Sequence, residues 1–454
     1  MRKRVACFFL ALCVVIGGTV YAQDFGFGFG DDETAGGGGS GGRALSVSVG
    51  GEVSGTFVGY IDDFKKGLDD TRLGDIFSGK LNFSASTSFA EGVINLKLSP
   101  SDSPVNIDEG YVRAFFGSFD ITAGLRKLTW GKADSFGPLD VINPLDYSAV
   151  FTEMADNISL LGIRIARPLV HASFRFGQFS KIEGVFVPWF EPHYIPEDGK
   201  WAPSQMEMLK KAQSMLNKPD TDTLRYAQMG LRFTTTLGPA DFGAQYYYGR
   251  LPEPSVRLAF IPSNSPFPTS VNLLYNRYQQ LGLDYAQVLF GFNLRAELAA
   301  NITDDLAGDD GTIYNPSLAW SFGFDRDLVW GINLNLQVNE SIRLLHDKLG
   351  SGAMMNAMST FNFDNLDIEG GSRMTSTRLT AALSKKFLRD ELEVRVGVAW
   401  GIEDSDAAIM PAIIWTKDDI RFALSGGFFV GEEAGQIGQF KDNHFLKIAM
   451  TYTF

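Results

Sequence analysis

Residues 444–454 read HFLKIAMTYTF, and this stretch is the clearest indication of the fold in the chain. Its large apolar side chains stand at every second position up to the last residue. A period of two is that of a β-strand with one face in an apolar environment and the other among polar groups. The stretch therefore predicts an amphipathic strand whose apolar face carries Leu446, Ile448, Met450, Tyr452 and Phe454.

The same alternation recurs along the chain from Ala44 onward. In 330–338, 392–400 and 292–300, an apolar face alternates with a face of polar, charged or small residues. The apolar faces are Trp330, Ile332, Leu334, Leu336 and Val338; Leu392, Val394, Val396, Val398 and Trp400; and Phe292, Leu294, Ala296, Leu298 and Ala300. A soluble β-sandwich would show the same periodicity, so strand length and connections decide between the two.

The strands and their connections both favour a membrane barrel. The predicted strands run for roughly 10 to 14 residues, enough to cross a bilayer at a tilt, whereas soluble strands average about 5 or 6. Short turns alternate with long polar loops, as in outer-membrane barrels, where the turns are periplasmic and the loops extracellular. The predicted turns are Glu91-Gly92, Gly117-Ser118, Gly238-Pro239, Arg326-Asp327, Arg389-Asp390 and Lys417-Asp418, and the loops lie around 61–77, 131–156, 191–222, 251–271, 302–313, 342–372 and 431–442.

These connections predict an all-β fold, a single transmembrane antiparallel β-barrel of about 18 strands, with 16 as the alternative. The sheet has to close, because backbone polar groups in lipid must be paired internally. Pro168 and Gly177 both offer a turn within 157–190, and Pro411 cannot donate to a strand ladder. The predicted strands are 44–60, 78–90, 91–100, 107–117, 118–130, 157–168, 171–190, 223–237, 240–251, 273–288, 290–302, 314–326, 328–342, 373–387, 391–403, 406–417, 418–431 and 443–454.

The first residues indicate export. A basic start and an uncharged apolar run ending in Val20-Tyr21-Ala22 are typical of a secretory signal peptide, so we expect 1–22 to be removed by cleavage after Ala22. Residues 23–43 are rich in glycine and predict a flexible periplasmic leader, followed by the barrel at 44–454. Both cysteines, Cys7 and Cys13, lie in the signal, so the mature chain is predicted to have no thiol and no disulfide.

Composition and motifs argue against several classes of function. The formal net charge is −13, and removing the three basic signal residues makes it more negative, which argues against a nucleic-acid partner. The four histidines are scattered, and the sequence contains neither a G-x-S-x-G nucleophile elbow nor an H-E-x-x-H metal motif. We therefore expect no enzymatic activity, no metal site and no cofactor.

Charged residues on the polar faces predict a water-lined lumen. If the apolar faces meet lipid, these charges turn inward, where such groups hold a wide pore open and set its solute preference. Alternatively, acids and bases on adjacent strands neutralise one another. The predicted pore-lining residues are Glu109, Arg113, Arg126, Arg232, Arg295, Glu297, Arg378 and Arg395, together with Glu393, Arg421 and Lys447.

One long loop contains a helical pattern. Met206, Leu209 and Met215 recur at helical spacing within 203–216, which predicts a short helix. We interpret this helix as a lid on the barrel mouth or, alternatively, as a capture site for an apolar solute. The same apolar patch could include Met354, Met355 and Met358 of the 342–372 loop.

Two stretches resemble known sequences. Residues 444–454 resemble the terminal strand by which the barrel-assembly machinery recognises outer-membrane proteins, which implies that machinery and membrane lipid as partners. Residues 108–147, DEGYVRAFFGSFDITAGLRKLTWGKADSFGPLDVINPLDY, resemble the signature of an uncharacterised, porin-like family of bacterial outer-membrane β-barrel proteins, "G-R-Q…W-G" followed by "D-V-I-N-P-x-D". The matching residues are Gly124, Arg126, Trp130, Gly131, Asp140, Val141, Ile142, Asn143, Pro144 and Asp146, whereas Leu125 and Lys127 depart from the pattern. The resemblance implies architecture and location but no particular solute.

The loop in this signature, 131–156, is predicted to fold inward and constrict the lumen. Gly131 lets the chain turn off its strand, and Asn143-Pro144 favours an extended step followed by a turn. Polar side chains can bond the loop's own backbone amides, and Trp130 can lie in the outer interfacial belt. The candidate residues are Trp130, Gly131, Lys132, Asp140, Asn143, Pro144 and Asp146.

Together these features favour an outer-membrane, porin-like channel for the passive uptake of a small solute. The Met- and Phe-rich loops favour a fatty-acid-type transporter of hydrophobic compounds as the alternative. A surface adhesin or structural barrel is the second alternative. The sequence does not identify the solute.

Overall fold

A computed structural model describes residues 45–61, 77–99, 104–156, 162–211, 213–259, 269–310, 312–345, 360–362, 374–433 and 435–454. The predicted signal peptide at 1–22, the leader at 23–43 and the methionines Met354, Met355 and Met358 lie outside these residues.

The described residues form 22 strands and two α-helices. In chain order the strands are β1 Ser46–Tyr60, β2 Phe77–Ser86, β3 Ala90–Leu98, β4 Val105–Phe116, β5 Phe119–Arg126, β6 Arg167–Phe176, β7 Ser180–Val187, β8 Leu216–Asn217, β9 Gln228–Leu237, β10 Ala240–Arg250, β11 Ser255–Ala259, β12 Ser270–Leu274, β13 Arg277–Leu289, β14 Phe292–Thr303, β15 Ser317–Asp327, β16 Ile332–Arg343, β17 Thr360–Asn362, β18 Thr375–Phe387, β19 Leu392–Gly401, β20 Asp406–Lys417, β21 Ile420–Val430 and β22 Phe445–Thr453. The helices are α1 Val150–Met154 and α2 Ser204–Lys211.

Eighteen of the strands form one closed antiparallel barrel. Each barrel strand pairs with the next barrel strand along the chain, and β1 pairs with both β2 and β22, which closes the sheet. The remaining four, β8, β11, β12 and β17, form a separate small sheet in the long connections. The prediction of an all-β barrel of 18 strands is confirmed.

The two ends of the barrel differ in their connections. At one end the strands are joined by turns of two to four residues, such as 117–118 and 328–331. At the other end every connection is longer than four residues except 402–405, and 127–166 and 188–227 are the longest. We call these the turn end and the loop end.

Several predicted boundaries were wrong. Glu91-Gly92 lies within β3 and Arg326-Asp327 at the end of β15, so both turns fall a few residues away. The chain also turns at Gly177 (φ +64°) and not at Pro168, which lies inside β6. The predicted strand at 157–168 is wrong for 162–166, which belong to a loop that returns to the barrel wall, whereas 167–168 begin β6.

The helix predicted at 203–216 is shorter in the structure. It corresponds to α2, which is followed by a 3-10 turn at Gln213–Met215 and by β8. None of the described helices is both long enough and apolar enough to span a membrane.

The two faces of the barrel strands have the predicted polarity. On β22, Ile448 is 56% exposed on the outer surface, while its neighbour Lys447 is 6% exposed and faces inward. On β19, Val396 is exposed and Arg395 is buried. An apolar outer face on a closed sheet with no free edge is what the hydrocarbon interior of a bilayer requires.

Pro411 is accommodated by an interruption in the ladder. It pairs with Val396 on one side, but the described pairing with β21 skips Met410 and Pro411. Since proline has no backbone N–H to donate, the gap falls where a ladder bond would be lost anyway.

Candidate functional site

The connection 127–166, here called the lumen loop, leaves β5 and folds into the barrel. Gly131 has φ +97°, a conformation that glycine adopts without the strain of a side chain, so the chain turns off its strand there as predicted. Trp130 is 3% exposed and packs with Leu128, Ile142 and Val185. It therefore does not lie in the outer interfacial belt, contrary to the prediction, because the loop carries it into an apolar cluster inside the wall.

Inward-facing glycines make room for this loop. A Cβ on Gly230 would lie 2.7 Å from ring carbons of Trp130, and one on Gly282 would lie 2.4 Å from Cδ2 of Leu139. Larger residues at either position would clash with the loop unless it moved.

A carboxylate on the wall holds the tip of the lumen loop. Glu297 on β14, which is buried, accepts hydrogen bonds from the backbone amides of Lys132, Ala133 (2.7 Å) and Leu139 (3.3 Å). Hydrogen bonds from N–H groups to a charged acceptor are stronger than those between neutral groups. This predicted pore-lining residue therefore anchors the loop.

Three glutamines on neighbouring strands bind the same segment. Gln337 accepts from the amides of Asp134 (3.0 Å) and Ser135 (3.2 Å) and donates to the Phe136 carbonyl (2.9 Å). The side chains of Gln280 and Gln245 donate at 2.9 Å to the carbonyls of Pro138 and Leu139. We call Gln245, Gln280, Glu297 and Gln337 the latch residues.

Ion pairs and a hydroxyl contact add to the latch. Asp134 accepts from Arg295 at 2.5 Å and from Asn335 at 2.9 Å. Nζ of Lys132 lies 3.7 Å from Asp241, and the hydroxyl oxygens of Ser135 and Thr380 lie 3.5 Å apart. Arg295, predicted to line the pore, thus pairs with the loop.

Asn143 fixes the base of the lumen loop. Its side chain accepts from the Leu128 amide (2.7 Å) and donates to the carbonyls of Arg126 (3.1 Å) and Ile165 (2.9 Å). The carbonyl of the adjacent Pro144 accepts from the Ile165 amide at 2.8 Å. The side chain thus ties the outgoing and returning arms together, and its bond to the Leu128 amide is of the kind predicted for it.

Asp140 and Asp146 also hold the loop, in two different ways. Asp140 forms an ion pair with Arg164 in the returning arm. Burial raises the pKa of the Asp140 carboxyl, while Arg164 and the backbone amide of Trp130 oppose that rise. Asp146 accepts from the amide (2.9 Å) and the hydroxyl (2.5 Å) of Ser148, so it bonds a local backbone amide as predicted.

The far end of the lumen loop reaches the opposite side of the barrel. Asp156, just after α1, accepts from Lys447 on β22 at 2.9 Å, and its backbone carbonyl accepts from Arg421 on β21 at 2.6 Å. Arg395 on β19 donates to the Ala155 carbonyl at 3.4 Å. Since the loop leaves β5, contacts β10 to β18 and reaches β19 to β22 at residues 155–156, it crosses the interior of the barrel.

Other predicted pore-lining residues bind within the wall or at the loop base. Arg113 pairs with Asp120 at 3.2 Å, and Arg232 pairs with Asp284 at 2.6 Å. Glu109 accepts from the Lys127 amide at 2.8 Å.

Two further bases and an acid complete the predicted set. Arg126 donates to Thr122 at 3.2 Å, and Arg378 donates to the side-chain carbonyl of Gln436 at 2.7 Å. Glu393 lies 3.8 Å from Arg395. The mutual neutralisation between adjacent strands, considered as the alternative, thus describes Arg113. Arg232 pairs with an acid two strands away and Glu393 lies near a base of its own strand, whereas others of the set hold the lumen loop.

Two cavities adjoin on the lumen loop. The larger has a volume of about 520 Å³ and is bounded by α1, α2 and the loop ends of β14 to β20. The smaller, of about 200 Å³, lies among the lumen loop, the start of β6 and residues 190–193. Phe136 and His193 line both cavities, so the two cavities are neighbours.

His193 connects these elements. Its Nδ1 accepts from the Leu145 amide at 2.8 Å, and its Nε2 lies 3.4 Å from Glu253. Burial acts to raise the pKa of Glu253, but the contact with His193 lowers it on balance.

Sequence reasoning missed much of this arrangement. The three latch glutamines, Arg164 and Asp156 were not singled out, although Gln337 and Gln245 stand on polar faces of alternating strands. No cluster of three or more potential metal-ligating side chains was found among the residues that the structure describes.

No protein-family model and no curated protein matches this chain. Among solved structures, OccK9 (OpdG) of Pseudomonas aeruginosa is similar at 9% identity, with a TM-score of 0.49 over 90% of this chain and 98% of that one. OpdL of Pseudomonas aeruginosa is similar at 10% identity, with a TM-score of 0.48 over 90% and 98%. Wzi, a carbohydrate-binding outer-membrane β-barrel of Escherichia coli involved in group 1 capsule assembly, gives 10% identity and a TM-score of 0.45 over 89% and 84%. At these identities the similarity concerns the fold alone.

The closed antiparallel sheet and its apolar outer face define the class of this protein. It is a transmembrane β-barrel of the bacterial outer membrane.

Proposed function

We propose that the protein is a porin-like channel for the passive uptake of a small solute, with 131–156 as the constriction of its lumen. One observation carries this proposal: the lumen loop crosses the barrel interior and is bonded to the wall by Glu297 of β14, by the Arg126 carbonyl of β5 and by Lys447 of β22. A segment held in this way narrows the lumen to a fixed shape, and polar side chains beside it set which solutes pass.

The loop end is proposed to face outward and the turn end the periplasm. This orientation follows the habit of outer-membrane barrels, whose long loops are extracellular. It would give the two cavities access from outside, before a solute meets the constriction.

Conductance in planar lipid bilayers tests the proposal. The purified barrel is expected to give ohmic current steps, and deletion of 133–146 is expected to raise the conductance or weaken the solute selectivity. Heat-modifiable gel migration checks that the deletion variant is folded. A folded deletion variant with unchanged conductance and selectivity would remove this segment from the permeation path.

A transporter of hydrophobic compounds is the second candidate. It is favoured by the wall of the larger cavity, where Phe151, Met154, Trp201 and Met206 come together beside α2. If the protein is such a transporter, planar bilayers should show no current steps and uptake of an apolar solute should be saturable. If it is a channel, current steps should appear.

A further inference from the structure

Three arginines lie together on the outer surface at the loop end of the barrel. Arg250 ends β10 and is paired directly with Arg277, which begins β13, and both side chains fall on the outward face of their strands. Arg225, in the 3-10 turn before β9, is exposed, and its carbonyl accepts a hydrogen bond from Nη2 of Arg277 at 3.4 Å. We call these three residues the arginine patch.

The positive charge of the arginine patch is not neutralised within the chain. Among the residues that the structure describes, none of the three arginines forms an ion pair. The charged residues that act most strongly on Arg250 are Arg277 and Arg225, and both repel it. Like charges placed directly opposite one another on paired strands destabilise a sheet. The patch therefore suits an anion from outside the chain, which would remove this repulsion.

Tyrosines position the guanidinium groups and leave donors unused. Cζ of Arg250 lies 4.1 Å from the centre of the Tyr226 ring, and Cζ of Arg277 lies 5.0 Å from that of Tyr248, whose hydroxyl accepts from Nη1 of Arg277. Nη1 of Arg250 donates to the Tyr275 carbonyl at 2.6 Å. Its Nε and Nη2 donate to no residue that the structure describes, and neither atom is fully enclosed. These donors remain for a ligand.

The height of the arginine patch on the barrel places it at a membrane surface. Phe242 and Tyr285, whose ring centres are 5.3 Å apart, face outward near the turn end. Arg250 follows Phe242 by eight residues, which at ~3.4 Å a residue and a tilt of ~40° is a rise of about 20 Å. Leu281 and Leu283, on the outer face between them, are each more than half exposed. Since the apolar band of such barrels is about 25 Å tall, the patch falls at the headgroup level of the leaflet at the loop end.

We propose that the arginine patch binds the phosphate of a lipid in the outer leaflet. The phosphate oxygens accept from the three guanidinium groups, while the acyl chains lie along the apolar outer face below them. Leu224, beside Arg225, is 74% exposed and offers a further apolar contact to the lipid. The inference uses the orientation proposed above, with the loop end outward. It goes beyond the channel function, because it concerns the outer surface of the barrel and not its lumen.

Native mass spectrometry of the full-length, folded barrel in detergent measures the binding. The probe is lipid A with two phosphates, and the matched lipid is the same lipid A with both phosphates removed. Because a base at a membrane surface strengthens the binding of an anionic lipid about fivefold, loss of all three contacts is expected to weaken the binding of the dephosphorylated lipid about 100-fold. Inorganic phosphate at the concentration of the lipid is expected to leave the complex intact, because it has no acyl chains to place on the apolar face.

Variants assign the binding to the arginine patch. Arg225→Gln, Arg250→Gln and Arg277→Gln are each expected to weaken lipid A binding about fivefold, and the triple variant about 100-fold. Arg326→Gln is the matched control and is expected to bind as the wild type does, because Arg326 also faces outward, with Cζ 4.2 Å from the centre of the Phe292 ring, but stands at the turn end. Heat-modifiable gel migration checks the folding of each variant. If the triple variant fails to fold, Arg225→Gln still tests the patch, since it changes an exposed side chain.

The outcomes concern the arginine patch and not the channel. Equal binding of the phosphorylated and dephosphorylated lipids would overturn the phosphate contact, and displacement of lipid A by inorganic phosphate would show a site for a free anion and not for a lipid. If Arg326→Gln weakens binding as much as the patch variants do, the attraction is one of general charge and the site does not exist. Binding by folded patch variants equal to that of the wild type would place the lipid elsewhere. None of these results changes the current steps by which the channel is tested.

Discussion

Replacing Glu297 with alanine is the sharpest test of the lumen loop as a fixed constriction. In the structure its carboxylate accepts hydrogen bonds from three backbone amides of the loop, and two of these bonds are to the same oxygen. Hydrogen bonds to a charged group contribute about 1.5–3 kcal/mol each when the partners stay buried. The amides freed by the substitution can be hydrated once the loop moves, so we count about 1 kcal/mol for each of the three bonds, below that range, and expect a loss of about 3 kcal/mol in total.

A loss of that size changes the balance between the bound and released loop by about 100-fold. Single-channel recording in planar bilayers measures this change. Glu297→Ala is expected to show a larger conductance, or frequent steps to a larger level, compared with the steady current of the wild type. Glu297→Gln should be intermediate, because its amide oxygen still accepts from Lys132 and Ala133 while its NH₂ group faces the Leu139 amide.

Glu183→Ala is the control for this experiment. Glu183 is also a buried, inward-facing carboxylate, but its hydrogen bond and ion pair are with His171 and Lys181 of the wall. Removing it deletes the same charge from the lumen without touching the loop. If Glu297→Ala folds and its current matches that of the wild type and of Glu183→Ala, the latch does not hold a constriction.

Three further predictions concern the other anchors. Cysteines in place of Ser135 and Thr380 should form a disulfide, because the two side-chain oxygens lie 3.5 Å apart and the chain beyond Cys13 has no native cysteine. A shift in gel migration that a reducing agent reverses detects the disulfide. Failure to cross-link under oxidising conditions would contradict the contact. Asn143→Ala removes three hydrogen bonds and should loosen the loop base by about 2–3 kcal/mol, seen as faster proteolysis within the loop, and an unchanged cleavage rate would argue against this anchor. Lys447→Met leaves the Asp156 carboxylate without its closest cation and should lower the free energy of unfolding by about 3 kcal/mol, measured as a lower melting temperature in detergent. Adding Asp156→Asn should restore most of this loss. A double variant as unstable as the single one would refute the pairing.

The barrel could be predicted from the sequence because its rule is local. Alternation such as Leu446, Lys447, Ile448 requires only that neighbouring side chains enter different environments, so strand number and inward charges can be read without knowing the partners. The turn at Gly177 was mistaken for one near Pro168, because proline inside β6 costs only one ladder bond. The conformational preference of a single residue therefore did not decide where the chain turns.

The interior could be predicted only in part. Asn143 stood in a recognisable motif, and Glu297 and Lys447 stood on inward faces. The loop residues that bind Glu297 and Lys447, however, lie more than 100 residues away in the sequence. Gln337 gave no signal, because a neutral amide on a polar face fits water as well as it fits a loop backbone. The inward charges were thus correctly placed in the sheet, while their role in holding a loop depended on contacts that no periodicity contains.

The aromatic cluster around Trp201 has a consequence for assembly. Its ring lies 6.1 Å from that of Tyr60 on the first strand and 6.0 Å from that of Phe445 on the last. Those two strands become neighbours only when the barrel closes. The wall of the larger cavity around Trp201 is therefore complete only after the last strand has paired with the first. The fluorescence of Trp201 can report when an inserted chain has closed its barrel.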